Sequence, residues 1–561
     1  YAEHFLQKFQ ELKETFGNGK LIKSLEDIML AAVLKNYVQY DFVVGNPPYV
    51  RVQLLDKKQK EGYKKIYDSA LGKFDIYILF IERGINWLLD GGKIGFIVSN
   101  QFMVTDYGEG IRKILTNQTE IIQIVDFGDS GVFADVTNYP AILVSEVVND
   151  IDIPAHNIEV VKVCRPEKDL LTEIKTRLNN PPYYTELFKL FELPQKELDQ
   201  KTWNLLTPGE KTVFNKIERS GILLKDITER IFQGINTGND DIFFILPRGG
   251  RDGKVEVKRV KEGGIYKIEK SLINPLLKGE DVRRYRIDWK GTQVIYPHKR
   301  SKELGRSEAP VISEKELMTE FPGTYKYFKL FEQELKKRKY LINDIENGKR
   351  ETWYEIWNPR LPERFEKLKI LTPNISNRNN FTLDEVGYYF TRPIYGIILK
   401  DKYHNKKNYY YTLGILNSNV LEFYFQHIAT IKAGNYFEYR SQYLERLPIR
   451  LPQTNEEQTF ADVIITKVEK ILDKVKLEQQ IENFPGYYIK EYRNKGEEFT
   501  SLSLSFNSNH KALEPIVERT VDDQRYHIVI GKKEPSLFVD SKQKADYIVA
   551  ALKKKRAKKN E

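Results

Sequence analysis

Apolar positions in the first 150 residues switch between two spacings, and each switch predicts a change of element. Phe42, Val43 and Val44 form a short continuous run, as in a strand buried on both faces, and the run leads into Gly45-Asn46-Pro47-Pro48-Tyr49. Ile78, Ile81, Ile85 and Leu88 then recur at helical spacing across Asp75–Leu89, and Asp90-Gly91-Gly92 reads as the helix stop. Lys93–Ser99 is a second short apolar strand, Glu109–Leu115 a second helix and Ile121–Phe127 a third strand. A last strand, Ala141–Ser145, closes a hairpin-like excursion through residues 131–140. Strands alternating with helices predict a parallel α/β sheet.

After Glu146 the pattern loosens. Residues 150–215 are charged and carry Pro166, Pro181, Pro182, Pro194 and Pro208, which predicts a linker with short helices. β-rich stretches resume beyond it. Residues 455–482 place Phe460, Val463, Ile464, Val468 and Ile471 on one amphipathic helix, and the closing Lys553–Lys559 run reads as a basic tail. The expected plan is five segments: 1–148, a linker at 149–215, a second domain at 216–453, a helix at 454–484, and a small appended unit with the tail at 485–561.

The turn at the end of the first strand carries chemistry. A side-chain amide oxygen from Asn46 and the carbonyl of Pro47 can each accept one hydrogen of an exocyclic amine such as adenine N6. That localises a lone pair otherwise delocalised into the ring. Two prolines hold successive turn positions rigid, so these acceptors are aimed before a substrate arrives. Tyr49 then offers a flat face for an extruded base. The sequence contains its own control in Asn180-Pro181-Pro182-Tyr183, the same four residues preceded by the polar, helix-spaced Leu171–Asn179. No buried strand delivers that second copy to a sheet edge, so it reads as an ordinary proline turn.

Residues 40–145 resemble the catalytic half of the γ-class N6-adenine DNA methyltransferases, the TaqI-like group that includes the fused type IIG restriction-modification enzymes. The resemblance rests on Asn46–Tyr49 and on Gly91-Gly92-Lys93-Ile94-Gly95-Phe96-Ile97-Val98. It implies the C-terminal half of a Rossmann-like methyltransferase sheet, followed by a mixed α+β TaqI-like target-recognition domain and a helical C-terminal region. It further implies methyl transfer from S-adenosylmethionine to a flipped adenine in double-stranded DNA. Asn46, Pro47, Pro48 and Tyr49 are then the catalytic residues, and Phe133 the aromatic on the base's other face. Two stacking faces at about 1–3 kcal/mol each are of the size needed to offset an extrusion cost of a few kcal/mol.

For the cofactor, the resemblance points to Asp75, Phe80 and Pro48. The family's glycine-rich cofactor loop and ribose-binding acid precede its Asn-Pro-Pro-Tyr motif. Here only residues 1–40 precede the motif strand, and Gly17-Asn18-Gly19 lies in a polar stretch and reads as a helix-ending turn. The expectation is therefore an amino-terminally truncated chain, inactive alone, whose main cofactor motif lies elsewhere. In the second domain, residues 231–244, 276–285, 371–375, 413–418 and 447–449 follow the order of the TaqI-like recognition domain. Gly234, Thr237, Gly238, Asn239, Arg283, Arg284, Lys432 and Asn435 are the expected DNA contacts, since such residues bind phosphate or read base edges.

Composition agrees with these expectations. A net charge of +10 favours an anionic partner, and no apolar run is long enough to span a bilayer. The single cysteine, Cys164, excludes an internal disulfide framework, and seven scattered histidines suggest no bound metal. The expected protein is a cytoplasmic prokaryotic enzyme, monomeric on DNA. Two alternatives remain. One is the modification portion of a type IIG endonuclease, with a nuclease upstream and Mg only there. The other is a binding-only specificity module, against which the intact Asn46–Tyr49 turn argues.

Overall fold

The computed structural model describes residues 20–36, 38–128, 139–148, 156–260 except 168 and 179, 264–301, 308–338 and 352–495 except 433 and 435. Scattered positions before 20 and between 342 and 350, and three strands at 516–519, 526–529 and 536–539, are also described. Phe133, Asn435 and the basic tail lie outside the described residues.

A helix, α1 (Lys20–Asn36), leads to β1 (Tyr40–Gly45). There follow α2 (Lys57–Ile66), α3 (Ile76–Asn86), β2 (Leu88–Ser99), α4 (Glu109–Gln118), β3 (Thr119–Asp126) and β4 (Pro140–Val147). The helix expected at Asp75–Leu89 is shorter than its pattern. It ends where the Trp87 amide donates to Arg83, and Leu88 already opens β2. Asp90-Gly91-Gly92 is therefore no helix stop but a kink inside the strand. Gly91 takes φ 76°, and the pairing of β1 with β2 jumps from Tyr40↔Leu88 to Phe42↔Lys93. A left-handed φ of this kind favours glycine.

Helix α3 buries Tyr77, Ile78, Ile81 and Ile85 in one core with Ile94, Phe96 and Val98 of β2. Gly84 permits the close approach, because a Cβ there would stand 2.7 Å from Ile94 Cδ1. The sheet is mixed where a parallel one was expected. β1 and β2 run parallel, but β4 enters antiparallel between β2 and β3, as a hairpin-like return from β3 requires.

Residues 157–194, expected as linker, instead add β5 (Asn157–Val163), β6 (Tyr183–Tyr184) and β7 (Phe188–Pro194) to the same sheet, with α5 (Leu170–Arg177) between β5 and β6. The strand order is β1-β2-β4-β3-β5-β7-β6. Val161, Phe188, Leu190, Leu170 and Ile174 form a second small core with Val125 and Phe127. Proline count hid this, since Pro166, Pro181 and Pro182 stand outside the strands and Pro194 at the end of one. The second Asn-Pro-Pro-Tyr copy runs into β6, which Tyr183 opens, with a cis bond between Pro181 and Pro182 and α5 ending upstream at Arg177.

Among the described residues, the chain from 222 to 449 forms three sheets of three or more strands and two two-stranded pairs, mostly within the same compact unit as the first half. The first runs β8 (Thr228–Gln233), β18 (Ile394–Leu399), β14 (Lys369–Pro373), β16 (Thr382–Asp384). A six-stranded sheet holds β9 (Phe244–Arg251), β10 (Lys254–Arg259), β11 (Ile265–Glu269), β12 (Ile273–Leu277), β13 (Gln293–Ile295) and β17 (Tyr389–Phe390). A three-stranded sheet pairs β15 (Ile375–Ser376) with β20 (Tyr436–Glu438), and β20 with β19 (Ile431–Lys432). Helices α6 (Lys406–Leu416) and α7 (Asn419–Ile428) belong to this region.

Its abundant tyrosine is core material: Tyr296, Tyr327, Tyr354, Tyr389, Tyr409, Tyr424 and Tyr439 are all buried. Tyr439 stacks on Phe425 at 4.1 Å and donates its hydroxyl to Asn379 at 2.8 Å. A buried ring thus keeps its polar tip satisfied.

The second unit comprises Tyr285–Ile287 and the chain from Gln453 onward. Its helix, α8, is longer than its pattern suggested, at Asn455–Lys495. Phe460, Val463 and Ile471 are exposed on it, while Ala461, Val468 and Leu472 are buried, so the expected apolar face is rotated. Arg286 pairs with Glu478 at 3.3 Å within this unit, and the three closing strands make an antiparallel sheet.

Candidate active-site cleft

β1 delivers its turn to the carboxyl end of the sheet with Asn46 exposed, Pro47 buried, Pro48 exposed and Tyr49 half-buried. The turn is bolted down on its far side. Ile76 N donates to Val50 O at 2.9 Å and Val52 N to Phe74 O at 3.1 Å, with Arg51 bridged to Asp75 between them. The start of α3 therefore fixes the residues that leave Tyr49.

Tyr49 itself is held at both ends. Its hydroxyl donates to Ile97 O of β2 at 3.1 Å, and its ring meets Tyr77 edge to face at 6.0 Å. Burial raises its pKa, so the hydroxyl stays a neutral donor. Asp75 receives the Tyr107 hydroxyl at 3.1 Å. Desolvation raises the Asp75 pKa, opposed by that hydrogen bond and by Arg51, while burial pushes Tyr107 up to about 12. The fully buried Tyr77 hydroxyl sits beside Tyr107 and Ser99 without a well-formed hydrogen bond to either.

These groups line one wall of a cleft of about 1130 Å³. Ligand pockets run to roughly 300–1,000 Å³, so the cleft is large enough for a small organic ligand. The other wall comes from the second half of the chain: Ile375, Thr430, Lys432, Tyr436, Glu438 and Arg440. Of the expected DNA contacts among the described residues, Lys432 alone lines this cleft.

Two others fall in the interior. A Cβ on Gly234 would stand 2.0 Å from Phe390 O, so its glycine serves backbone packing, not phosphate approach. Thr237 is fully buried, its hydroxyl donating to Asp240 at 2.5 Å. Gly238, with φ 75°, and Asn239 shape the turn after it. Arg283 is exposed, and Arg284 donates to Asn417 O. Small polar residues around glycines suit a tight turn as well as a phosphate loop, and sequence alone does not separate the two.

Of the cofactor candidates, Asp75 faces the cleft, whereas Phe80 and Pro48 are exposed outside its lining. S-adenosylmethionine needs a cradle for its methionine part and an acceptor for its ribose hydroxyls. Among the described residues no strand precedes β1, and Asp75 is already engaged by Tyr107. These residues do not make a seat for the cofactor. β1 is the sheet's edge, and Phe42 and Val44 are 69% and 81% exposed on it.

Residues with no sequence signal stand at and beside the cleft, which Tyr139 lines. Asn100 N donates to Tyr139 O at 2.6 Å, and its side chain to Asp126 at 2.8 Å, whose carboxylate also receives Gly128 N at 2.9 Å. Tyr107 and Arg440 likewise belong to no recognisable motif.

Residues 2–133 match the Eco57I restriction-modification methylase family, and residues 274–449 the TaqI-like C-terminal specificity domain. The chain thus carries an Eco57I-type methylase segment followed by a TaqI-like C-terminal specificity segment. It is 26% identical to the type II methyltransferase M.BstVI of Geobacillus stearothermophilus over 450 residues, 78% of this chain and 72% of that protein. It is 25% identical to the type II restriction enzyme and methyltransferase RM.Eco57I of Escherichia coli, over 80% of this chain and 45% of that protein. Solved structures similar to it include the type IIG restriction endonuclease BpuSI (15% identity, TM-score 0.32, 78% of this chain and 49% of that one). The type IIL enzyme MmeI bound to DNA is another (11%, 0.44, 75% and 48%). The chain spans about half the length of these two structures. Among the described residues, no helix is long and apolar enough to cross a membrane.

Proposed function

We propose that this methylase acts on the N6 amine of an adenine flipped out of double-stranded DNA, within a prokaryotic cytoplasmic restriction-modification system and as a monomer on DNA. The observation that carries this reading is the placement of Asn46–Tyr49 at the carboxyl end of β1, beside a cleft whose far wall belongs to the specificity domain. Asn46 Oδ1 and Pro47 O accept the two N6 hydrogens and point the nitrogen lone pair outward. Tyr49 stacks on the base, with Phe133 assigned to its other face. S-adenosylmethionine supplies the methyl group, and its main binding motif is assigned outside these residues. Preorganised acceptors act without reorganising at the moment of reaction.

A larger polypeptide with an upstream Mg-dependent nuclease, of the type IIG kind, is a second reading. It draws support from the likeness to RM.Eco57I, of which this chain matches 45%. A binding-only module has no use for the intact turn.

The test is to express the full-length gene in a host without adenine methylation and map N6-methyladenine by single-molecule sequencing. One methylated adenine motif is expected. Asn46→Ala should lower methylation by about 10²–10³-fold while leaving DNA binding intact. Methylated cytosine, or methylation indifferent to Asn46→Ala, would overturn the reading.

A further inference from the structure

The wall facing Tyr49 carries a charge arrangement around Lys432, an expected DNA contact, that the proposed chemistry at Asn46 does not use. Strands β19 and β20 form a hairpin, and Glu438 at its end is nearly buried, its side chain 7% exposed. One oxygen of that carboxylate, Oε1, takes Lys432 Nζ at 3.2 Å and Arg440 Nη2 at 2.9 Å. Both cations are about half exposed, and both line the cleft. A carboxylate shared by two cations leaves one positive charge uncompensated, held in place by backbone pairing. Glu438 N donates to Thr430 O at 3.1 Å, Glu438 pairs with Ile375 across the sheet, and Tyr439 N donates to Asn374 O at 2.8 Å.

A solvated surface pair does not need a buried carboxylate to orient it, because exposed lysine and arginine find water wherever they point. A fixed single positive charge in a cleft fits a ligand of one negative charge. In a cleft built for an extruded nucleotide, that ligand is a phosphodiester.

We propose that Lys432 and Arg440, aligned by Glu438, clamp a backbone phosphate flanking the flipped adenine. The base then rests on Tyr49 from one wall while its strand is gripped from the other. Lys432 and Arg440 are binding residues and Glu438 a positioning residue. The proposal rests on the methyltransferase reading for the identity of the strand, though the phosphate site itself is testable without it.

Two measurements on the full-length protein test it. In the first, a labelled random-sequence duplex is titrated at several salt concentrations. Lys432→Ala and Arg440→Ala should each reduce the slope of log affinity against log salt by about 0.9, as one lost phosphate contact requires. Glu438→Gln removes a negative charge and should not lower that slope. In the second, the duplex carries the mapped adenine, and the phosphates on either side of it are replaced one at a time by uncharged methylphosphonate. One replacement should weaken binding by the parent protein about tenfold, the loss of one charge-assisted hydrogen bond. It should cost the Lys432→Ala, Arg440→Ala and Glu438→Gln proteins much less.

Unchanged salt slopes in both alanine variants, or equal methylphosphonate penalties in parent and variants, overturn the proposal. Loss of the penalty in Glu438→Gln with its salt slope retained marks alignment, which general unfolding would not produce. If methylation mapping yields no adenine, the methyltransferase reading fails, and the salt slopes still decide whether the clamp binds phosphate.

Discussion

Tyr49 carries the sharpest test of the cleft, because its ring and its hydroxyl do different jobs and can be removed separately. Its hydroxyl is spent on Ile97 O, so a base stacked as proposed meets the ring face alone. Tyr49→Phe keeps the face and deletes one hydrogen bond whose net worth is about 0.5–1.5 kcal/mol. That loss falls mainly on the anchoring of the turn, so the methylation rate should drop no more than about tenfold. Tyr49→Ala removes the stacking face, worth about 1–3 kcal/mol, and the edge contact with Tyr77, worth about 0.5–1.5 kcal/mol. The two together predict a fall of about 10- to 1,000-fold in the captured, reactive complex.

The assay places 2-aminopurine at the target adenine and reads its fluorescence on binding, alongside single-turnover methylation by the full-length enzyme. Tyr49→Phe should retain most of the fluorescence response expected of a flipped base, changed only as far as the new ring quenches it, and Tyr49→Ala should lose capture. If Tyr49→Phe were as damaging as Tyr49→Ala, the hydroxyl would be acting on the base directly. The hydrogen bond to Ile97 would then be no guide to the bound state.

Three further outcomes follow from other parts of the chain. Lys369 and Asp384 form an ion pair at 2.5 Å with both side chains fully buried, and the carboxylate also accepts the Val386, Gly387 and Tyr388 amides, so Lys369→Met, which leaves a buried carboxylate without its cation, should cost about 3–5 kcal/mol by urea unfolding. Adding Asp384→Leu orphans those three amides as well and should not restore stability, and a double variant as stable as the parent would refute this account. Burial raises the Glu210 pKa, but hydrogen bonds from Lys189 and the Thr207 amide outweigh it and bring it down to about 2. The folded state therefore binds fewer protons than the unfolded one between about pH 4.5 and 2. This group's stabilisation is complete above that window and lost as pH falls through it, so Glu210→Gln should flatten the acid side of the melting profile there. Finally, titration of this chain alone with S-adenosylmethionine in a calorimeter should give no heat of binding, whereas micromolar binding would reveal a seat that Asp75, Phe80 and Pro48 do not suggest.

Where the sequence was legible, one local pattern decided one local structure. The apolar run before Asn46 and the helical spacing of Ile78, Ile81 and Ile85 place β1 and α3, because burial on a sheet and on one helix face leaves those periods directly. Three features escaped. Leu88 fits the helical period of α3 yet belongs to β2, since a residue at a junction can satisfy either core. Strands β5 and β7 were masked by nearby prolines, although Ile158, Val160 and Phe191 carry the alternation of a sheet. The cleft's second wall was largely invisible. Lys432, Glu438 and Arg440 meet through a hairpin whose pairing depends on Ile375, over 50 residues upstream. No spacing rule records a contact set by tertiary pairing.

That division explains how the cleft can combine fixed chemistry with variable recognition. Asn46 and Tyr49 hang from β1 and β2, whose register is set by the core around Ile94 and Phe96. The facing hairpin hangs from β15 and β20, which share no strand with that sheet. Exchanging an exposed side chain such as Tyr436 on the hairpin leaves the pairing of Val43 with Ile94, and so the aim of the Asn46 amide, untouched. Exchanging a residue under β1 moves the proposed acceptors themselves, and a displacement of about 1 Å at a reacting centre costs on the order of 10²-fold in rate. Substitutions should therefore separate by sheet. Those on β19 and β20 should alter which DNA is bound and how tightly, and those beneath β1 and β2 should alter turnover on DNA that is still bound.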